Sequence, residues 1–537
     1  MSLLDSSRAS QDAPHSARLA WPASWRGSLE RWLPALIALI AAALYLPPIS
    51  QYSANYDEGV YWQSLRAMQA GHPLFSSVFS SQPPYFLASI YPFYLLFGQS
   101  IAAARVGVVV FAIIGVVAIF WLGSQLGGFW VGVIASALLV FEPNYLAQAR
   151  TLESDGPAVA VSIVAVALAV AATRRTDVWR RRLAALSGVV IAYGILIKLF
   201  DVVALLPMAL YLAAPIFSAF DAGDGRLRRP DAATLRAAIS AALPDLLAWA
   251  VGGVVAGFAL LLPFLGSFDA LWSQVVSFHT AQQQGLGPQL EGKLVVSLMS
   301  FLTLGVLALI VVALAVWQRA WRVAPLLVWT LAAIFTLTRL TTYFGHYAVL
   351  VSPSLALLVA LAPTLVAPLA VSLAARASAA RWLNLAVTVA VLIALAQSAF
   401  TDFTPVNARN VGSAPNTTVV AGIPPGAQTH LAAINAFTMP GEVIVTDDQY
   451  VAAQAGHSVP PELVDTSFVR VTTGYLTSTR IERVIERDHI RVVILGTQRL
   501  SKVPGFLPWL QSRFVLVAHA GANYDIYVRV ASGPPIA

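Results

Sequence analysis

The sequence predicts a polytopic α-helical membrane protein that carries a small α/β domain at its C-terminal end. Three observations predict it. The chain is 58% hydrophobic and 11% charged, against about 25% charged residues in a soluble globular protein. Residues 32–400 contain repeated apolar runs near the length that crosses a bilayer, about 20 residues. After residue 400 the hydropathy falls and turn residues appear.

Each span follows from a run of that length. Eleven runs qualify: 32–49, 101–123, 128–146, 156–173, 183–199, 202–219, 244–265, 297–317, 323–338, 346–372 and 382–400. The range stretches to thirteen, because 346–372 is long and holds Pro353, Pro363 and Pro368, which kink or split a helix. Segment 83–98 is apolar but short, and it carries three tyrosines and Pro92. Amphipathic aromatics favour the membrane interface, so a helix lying on the outer surface is expected there.

Arginine placement sets the orientation. With the N-terminus inside and eleven spans, seventeen arginines fall in inner segments and four basic residues in outer connections. Making 83–98 a span would move most arginine clusters outside, against the tendency of basic residues to stay cytoplasmic. The expected layout is a cytoplasmic segment 1–31, a membrane domain 32–400 with a first outer loop at 50–100, and an extracytoplasmic domain 401–537. Residues 1–31 are polar and Arg-containing, without the apolar stretch of a cleavable signal peptide. The expected location is the plasma (inner) membrane.

The tail reads as a mixed domain. Val443–Thr446 and Arg491–Leu495 are predicted as buried strands. Leu476–Asp488 is predicted as an amphipathic helix with a cap near Thr477–Thr479. Phe514–Ala518 and Tyr524–Val530 could pair as a hairpin. Asp447–Asp448 reads as a solvated turn, and 404–430 as an irregular connector. The chain has no cysteine, which excludes disulfides and thiolate metal sites. Its net charge of +7 lies in cytoplasmic loops, so nucleic acid is not an expected partner.

The polar residues of interest gather on the predicted outer face. Asp57 and Glu58 sit just past the first span, where acidic groups near hydrocarbon are costly and point to function. Asn55 and Glu58 have capping-box spacing, so Glu58 is the better helix starter and Asp57 is left for chemistry. The loop before the fourth span holds Arg150, Glu153 and Asp155. Parity of the spans puts it on the same side. Helix capping by Ser154 or Asp155, and neutralisation of Glu153 by Arg150, are the bland alternatives there. Lys198 closes the fifth span and has Asp201 three residues on as its expected partner. Connection 266–296 holds His279, three consecutive glutamines and Lys293. The connection after the ninth span holds Arg339, Tyr343, His346 and Tyr347, of which Arg339 and His346 could clamp an anion.

No P-loop, HExxH or Gly-x-Ser-x-Gly motif is present. Acidic pairs could coordinate Mg²⁺ or Mn²⁺ through oxygen, but no spacing demands a metal, so no metal ligands are assigned. Chemistry on an outer surface cannot assume a nucleotide pool. A lipid-linked phosphate donor meets that need, with a carboxylate to deprotonate the acceptor and cations to receive the phosphate.

The Asp-Glu pair in the first outer loop, the interfacial helix, the Arg-x-x-Glu-x-Asp loop and the extracytoplasmic tail together resemble the GT-C superfamily of membrane glycosyltransferases. The similarity is to bacterial relatives of protein O-mannosyltransferases and of lipid A aminoarabinose transferases. The resemblance implies an inverting hexosyl or pentosyl transferase. Its donor would be a polyprenyl-phosphate sugar and its acceptor a protein, a glycolipid or a polysaccharide. It implies catalytic roles for Asp57 and Asp155, with Glu58 as competitor, and substrate-binding roles for Arg150, Glu153, Lys198, Arg339, Tyr343 and His346. One departure stands out. Relatives often carry Lys-Pro before the interfacial helix, whereas this chain reads Ser81-Gln82-Pro83-Pro84. The runner-up reading is a secondary transporter or lipid flippase. It is disfavoured because the acids cluster at one surface and no repeat is evident. A third reading is a non-catalytic scaffold or sensor.

Overall fold

The computed structural model describes residues 23–47, 49–50, 55–221, 229–285, 301–340, 343–366, 427–520 and 524–530. The first part is a bundle of helices: α1 (Ala23–Tyr45), α2 (Tyr56–Gln69), α3 (Tyr85–Leu96), α4 (Ile101–Gly127), α5 (Phe129–Phe141), α6 (Pro143–Gln148), α7 (Asp155–Thr173) and α8 (Trp179–Ile197). It continues with α9 (Leu205–Leu212), α10 (Ala214–Ala219), α11 (Ala232–Leu261), α12 (Phe268–Trp272), α13 (Phe278–Gly285), α14 (Leu302–Trp317), α15 (Ala324–Arg339) and α16 (Ser352–Ala360).

Five helical runs among the described residues are long and apolar enough to cross a membrane: Ile101–Gly127, Asp155–Thr173, Ala232–Ala281, Trp321–Arg339 and Gly345–Val366. Four other expected spans coincide with shorter apolar helices, Trp32–Tyr45, Phe129–Phe141, Leu199–Leu212 and Leu302–Trp317. The expected span at 183–199 coincides with α8, whose first turn carries Arg180, Arg181 and Arg182. Span 382–400 lies outside the described residues, as do segment 1–22, Lys293 and most of connector 404–430.

Local chemistry explains the short helices. The chain bends between α5 and α6, where buried Glu142 caps Asn144 N (3.1 Å) and Tyr145 N (2.8 Å) and Pro143 starts the next helix. At Lys198 the backbone turns extended, φ −152° and ψ 130°, and restarts as a 3₁₀ turn over Leu199–Ala204. The core runs through the middle of the bundle. α7 is buried along nearly its whole length. It packs against α4 at Gly115, where an added Cβ would lie 2.9 Å from the Ala160 Cβ. α3 spans about 18 Å, well short of a hydrocarbon core of about 30 Å. One face of α3 is buried through Phe86, Leu87, Ile90 and Tyr94, and Leu96 and Phe97 are exposed at its end.

The C-terminal part forms a four-stranded mixed sheet in the order β1-β2-β4-β3. Its strands are β1 (Val445–Thr446), β2 (Val492–Leu495), β3 (Phe514–His519) and β4 (Asp525–Arg529). β1 and β2 are parallel, and the other pairs are antiparallel. Helices α17 (Ala427–Phe437), α18 (Gln449–Gln454), α19 (Phe468–Thr472), α20 (Ser478–Arg487) and α21 (Phe506–Arg513) accompany it. Thr477 caps α20. The strand expected at Val443–Thr446 shrinks to its last two residues. Asp447 corrects the solvated-turn expectation. It is fully buried, and its carboxylate accepts from the backbone N–H groups of Gly496, Thr497 and Leu500 at 2.7–3.0 Å. Asp448 caps α18.

This part docks on α2. Gln63 Nε2 donates to the carbonyls of Gln449 (3.3 Å) and His457 (3.0 Å), and Arg66 Nη2 donates to the Gly456 carbonyl (2.9 Å). α18 approaches so closely that a Cβ on Gly59 would lie 2.5 Å from the Tyr450 backbone nitrogen. Gly59→Ala is therefore expected to lower stability by about 1–3 kcal/mol, the usual cost of overpacking. A fall in the thermal unfolding midpoint in detergent checks this.

Candidate active site

The site is built where α2 begins, where the loop before α7 ends, and where the chain re-enters the bundle after α15. Asn55 caps α2 by accepting from the Glu58 N–H at 2.9 Å. Its side-chain amide also donates to Glu153 Oε1. The first and second loops are thus joined at the residue next to the Asp57 helix turn.

Glu58 does not complete a capping box. Its carboxylate is fully buried and receives Arg105 in two-pronged fashion, Nε–Oε1 2.8 Å and Nη2–Oε2 2.7 Å. The Leu152 N–H adds a third bond to Oε1 at 2.6 Å. Arg105 comes from α4 and also donates to the Ile49 carbonyl at 2.5 Å. Three hydrogen bonds enclose Glu58 away from solvent. It ties α2, α4 and the second loop together.

Asp57 is different. It is half-buried, and among the described residues no donor hydrogen-bonds its carboxylate. Asp57, Glu153 and His346 each offer a ligand atom within 4.8 Å of the others. His346 Nδ1 lies 3.5 Å from Glu153 Oε2, and Nε2 lies 3.9 Å from Asp155 Oδ2. Glu153 Oε2 is buried with no hydrogen-bond partner among the described residues. Burial, and then the neighbouring Glu153, push the Asp57 carboxyl up to about 6. Burial, and then Asp155, push Glu153 up to about 8. Both neighbouring carboxyls are thus held above the ordinary carboxylate range, Glu153 higher than Asp57.

Asp155 is held in an ion pair, with Lys198 Nζ 2.6 Å from Oδ2. Lys198 also lies 3.3 Å from Ser154 Oγ and 4.7 Å from the Tyr347 ring centre. The expected Lys198–Asp201 pairing is corrected. Asp201 turns against α8 instead, where a Cβ on Gly194 would sit 2.5 Å from its Oδ2. Arg150 is also placed differently from its expected pairing with Glu153. It donates to the Leu44 carbonyl at 2.6 Å and lies 6.0 Å over the Tyr45 ring, toward α1. Arg339 is exposed at the end of α15, over the Phe335 ring. Tyr343 is buried and packs edge-on against Tyr347, with ring centres 6.2 Å apart. His279 bonds the carbonyl one turn back, at Val275. Gln82, which replaces the lysine of relatives, accepts from Ser154 Oγ at 3.2 Å.

Arg105 is the residue that the span-by-span reading missed. The signal is an ionisable residue in the first turns of an otherwise apolar helix. Tyr56 was also missed. Its hydroxyl accepts from the Thr466 N–H at 2.8 Å, and Arg499 lies 3.7 Å over its ring, which locks the first turn of α2 to the C-terminal part.

Comparison with known proteins bears on the fold. The family described as dolichyl-phosphate-mannose-protein mannosyltransferase matches residues 81–219. That stretch holds Arg105, Glu153, Asp155 and Lys198 but not Asp57 or His346. ArnT from Cupriavidus metallidurans bound to undecaprenyl phosphate superposes with a TM-score of 0.61 at 16% identity. The match covers 94% of this chain and 99% of that one. The apo state of the same protein gives 0.58 at 15% identity, covering 94% and 100%. The oligosaccharyltransferase of Archaeoglobus fulgidus, tethered with an acceptor peptide, gives 0.51 at 12% identity, covering 94% and 75%. These neighbours are GT-C glycosyltransferases. The chain has the GT-C fold. No curated protein sequence matches it. The resemblance carried by the short motifs thus holds at the level of fold. In the GT-C fold of this chain, the two acidic loops and the His346 segment converge on one end of the bundle.

Proposed function

We propose that this protein transfers a sugar from a polyprenyl-phosphate donor to an acceptor hydroxyl at the outer membrane face, with Asp57 as general base. The observation that carries the reading is the Asp57 carboxylate. It is half-buried, lacks a hydrogen-bond donor among the described residues, and sits beside Glu153 and His346 at the junction of the acidic loops.

In the proposed step Asp57 takes the acceptor O–H proton. The oxygen bonds the anomeric carbon, and the carbon–oxygen bond to the lipid phosphate breaks. The electron pair leaves with the phosphate, and attack opposite the leaving group inverts the anomeric centre. Arg339, exposed at the end of α15, is suited to meet the departing phosphate. Lys198 holds Asp155, so it fixes the second loop and supplies positive charge close by. Tyr343 supports the His346 segment through Tyr347. Arg150 anchors the second loop to α1 and acts at a distance from the substrate. The acceptor is a hydroxyl of a protein, a glycolipid or a polysaccharide.

The three-residue cluster also fits a divalent cation. It offers two carboxylates and an imidazole, and one Glu153 oxygen is buried without a hydrogen-bond donor among the described residues. Asp57, Glu153 and His346 would hold such an ion, which would supply positive charge for the donor phosphate and keep both carboxyls ionised.

The pH profile follows from the Asp57 carboxyl. A general base works only when deprotonated, and its deprotonated fraction grows as pH rises through about 6. Without added metal, kcat/KM should rise about tenfold per pH unit below 6 and level off above it. An acidic limb centred near the ordinary carboxylate range, about 3.9, would contradict the assigned environment.

A further inference from the structure

At the end of the bundle away from the carboxylate cluster, a cavity of about 430 Å³ opens between helices. α7 runs from Asp155 at the cluster to Thr173 at the cavity, about 28 Å apart by its length. The wall is mostly apolar, with Phe217 and Leu361 prominent, but two arginines stand in it, Arg174 and Arg322. Arg322 is fixed, since its Nη2 donates to Thr364 Oγ1 at 3.1 Å. Arg174 follows the last turn of α7, and among the described residues no acceptor takes its guanidinium. The Tyr211 side chain lines the same cavity. It is 9% exposed, and its hydroxyl is buried with no hydrogen-bond partner among the described residues. A buried hydroxyl without a partner is costly unless a ligand supplies one.

We propose that this cavity binds an anionic phospholipid of the inner leaflet. Its phosphate lies against Arg174 and Arg322 and accepts from the Tyr211 hydroxyl, and its acyl chain lies along Phe217 and Leu361. Basic pockets between membrane helices on the cytoplasmic side suit such headgroups. Asp221 lines the cavity too and disfavours a second negative charge, so a headgroup of single charge, as in phosphatidylglycerol, fits best. Assignment to the inner leaflet rests on the outward orientation of the Asp57 cluster proposed above. The headgroup chemistry does not.

Native mass spectrometry of the full chain in zwitterionic detergent, titrated with phosphatidylglycerol or phosphatidylcholine, tests the site. Phosphatidylglycerol should bind about tenfold more tightly or better, as two phosphate-facing arginines imply. The double variant Arg174→Ala, Arg322→Ala should lose that preference, and the Arg174→Lys, Arg322→Lys pair should keep most of it. Tyr211→Phe should weaken phosphatidylglycerol binding by a few-fold, which keeps the test decisive if the alanine pair does not fold. Asp57→Asn should bind the lipid as the wild type does, so this readout stands apart from sugar transfer. Equal binding of the two lipids would overturn the proposal. So would a preference that survives the alanine pair, or displacement of the lipid by inorganic phosphate at the same concentration.

Discussion

Asp57→Asn should lower kcat for sugar transfer by about 10²–10⁴-fold, the range spanned by loss of a positioned general base. The substitution keeps the size of the side chain. It also removes a carboxylate that makes no hydrogen bond among the described residues, so folding should be unchanged. Purified variant and wild type would be compared by single-turnover transfer from a radiolabelled polyprenyl-phosphate sugar, with unfolding midpoints measured alongside. The acidic limb of the pH profile should vanish in the residual activity. Glu153→Gln is the instructive partner variant. Burial and the neighbouring Asp155 raise the Glu153 carboxyl further than that of Asp57, so the amide should cost less activity than Asp57→Asn.

The largest effect on stability is expected at Arg105. The guanidinium and the Glu58 carboxylate are both fully buried. Replacing Arg105 by alanine leaves an uncompensated carboxylate in the bundle, which costs about 3–5 kcal/mol. Arg105→Lys should recover little of this, because an ammonium cannot make the two-pronged contact. Unfolding in detergent followed by circular dichroism checks both variants. Glu58→Gln should be milder than Arg105→Ala, since the amide oxygen can still accept from Arg105 and from the Leu152 N–H. Activity should fall in each case, because Leu152 belongs to the loop that presents Glu153 and Asp155.

Much of this arrangement is legible in the residues. Bilayer length marks the runs that become Ile101–Gly127 and Asp155–Thr173. Shortness and tyrosine content set α3 apart from them. Span parity places Asp57 and the Arg150–Asp155 loop at one end, and the structure brings Asp57 and Glu153 together there. The His346 segment joins them from about 190 residues further along the chain, a distance over which no local pattern speaks.

Partner choice is what the sequence hides. Lys198 and Asp201 have the spacing of a helical ion pair, but the helix stops at Lys198 and the extended backbone there swings the ammonium toward Asp155. Glu58 has capping-box spacing, but a guanidinium from α4 offers a stronger, charge-assisted partner than the helix's own first N–H. Arg150 looks like a counter-ion for Glu153, yet it reaches a carbonyl of α1 instead. Asp447 has the look of an exposed turn because it precedes polar residues, yet three backbone donors from the segment after β2 enclose it. In each case a contact distant in sequence outcompetes the nearest one.

In the proposed reaction, donor cleavage is coupled to acceptor glycosylation. The most direct measurement uses the purified protein in proteoliposomes, with a synthetic polyprenyl-phosphate sugar and a glycolipid and protein extract as acceptor. Mass spectrometry would count free polyprenyl phosphate and glycosylated product together. One polyprenyl phosphate should form for each sugar transferred, and with Asp57→Asn both should fall together, by about 10²–10⁴-fold. Movement of the donor or of a solute across the vesicle with no loss of the sugar–phosphate bond would contradict the account.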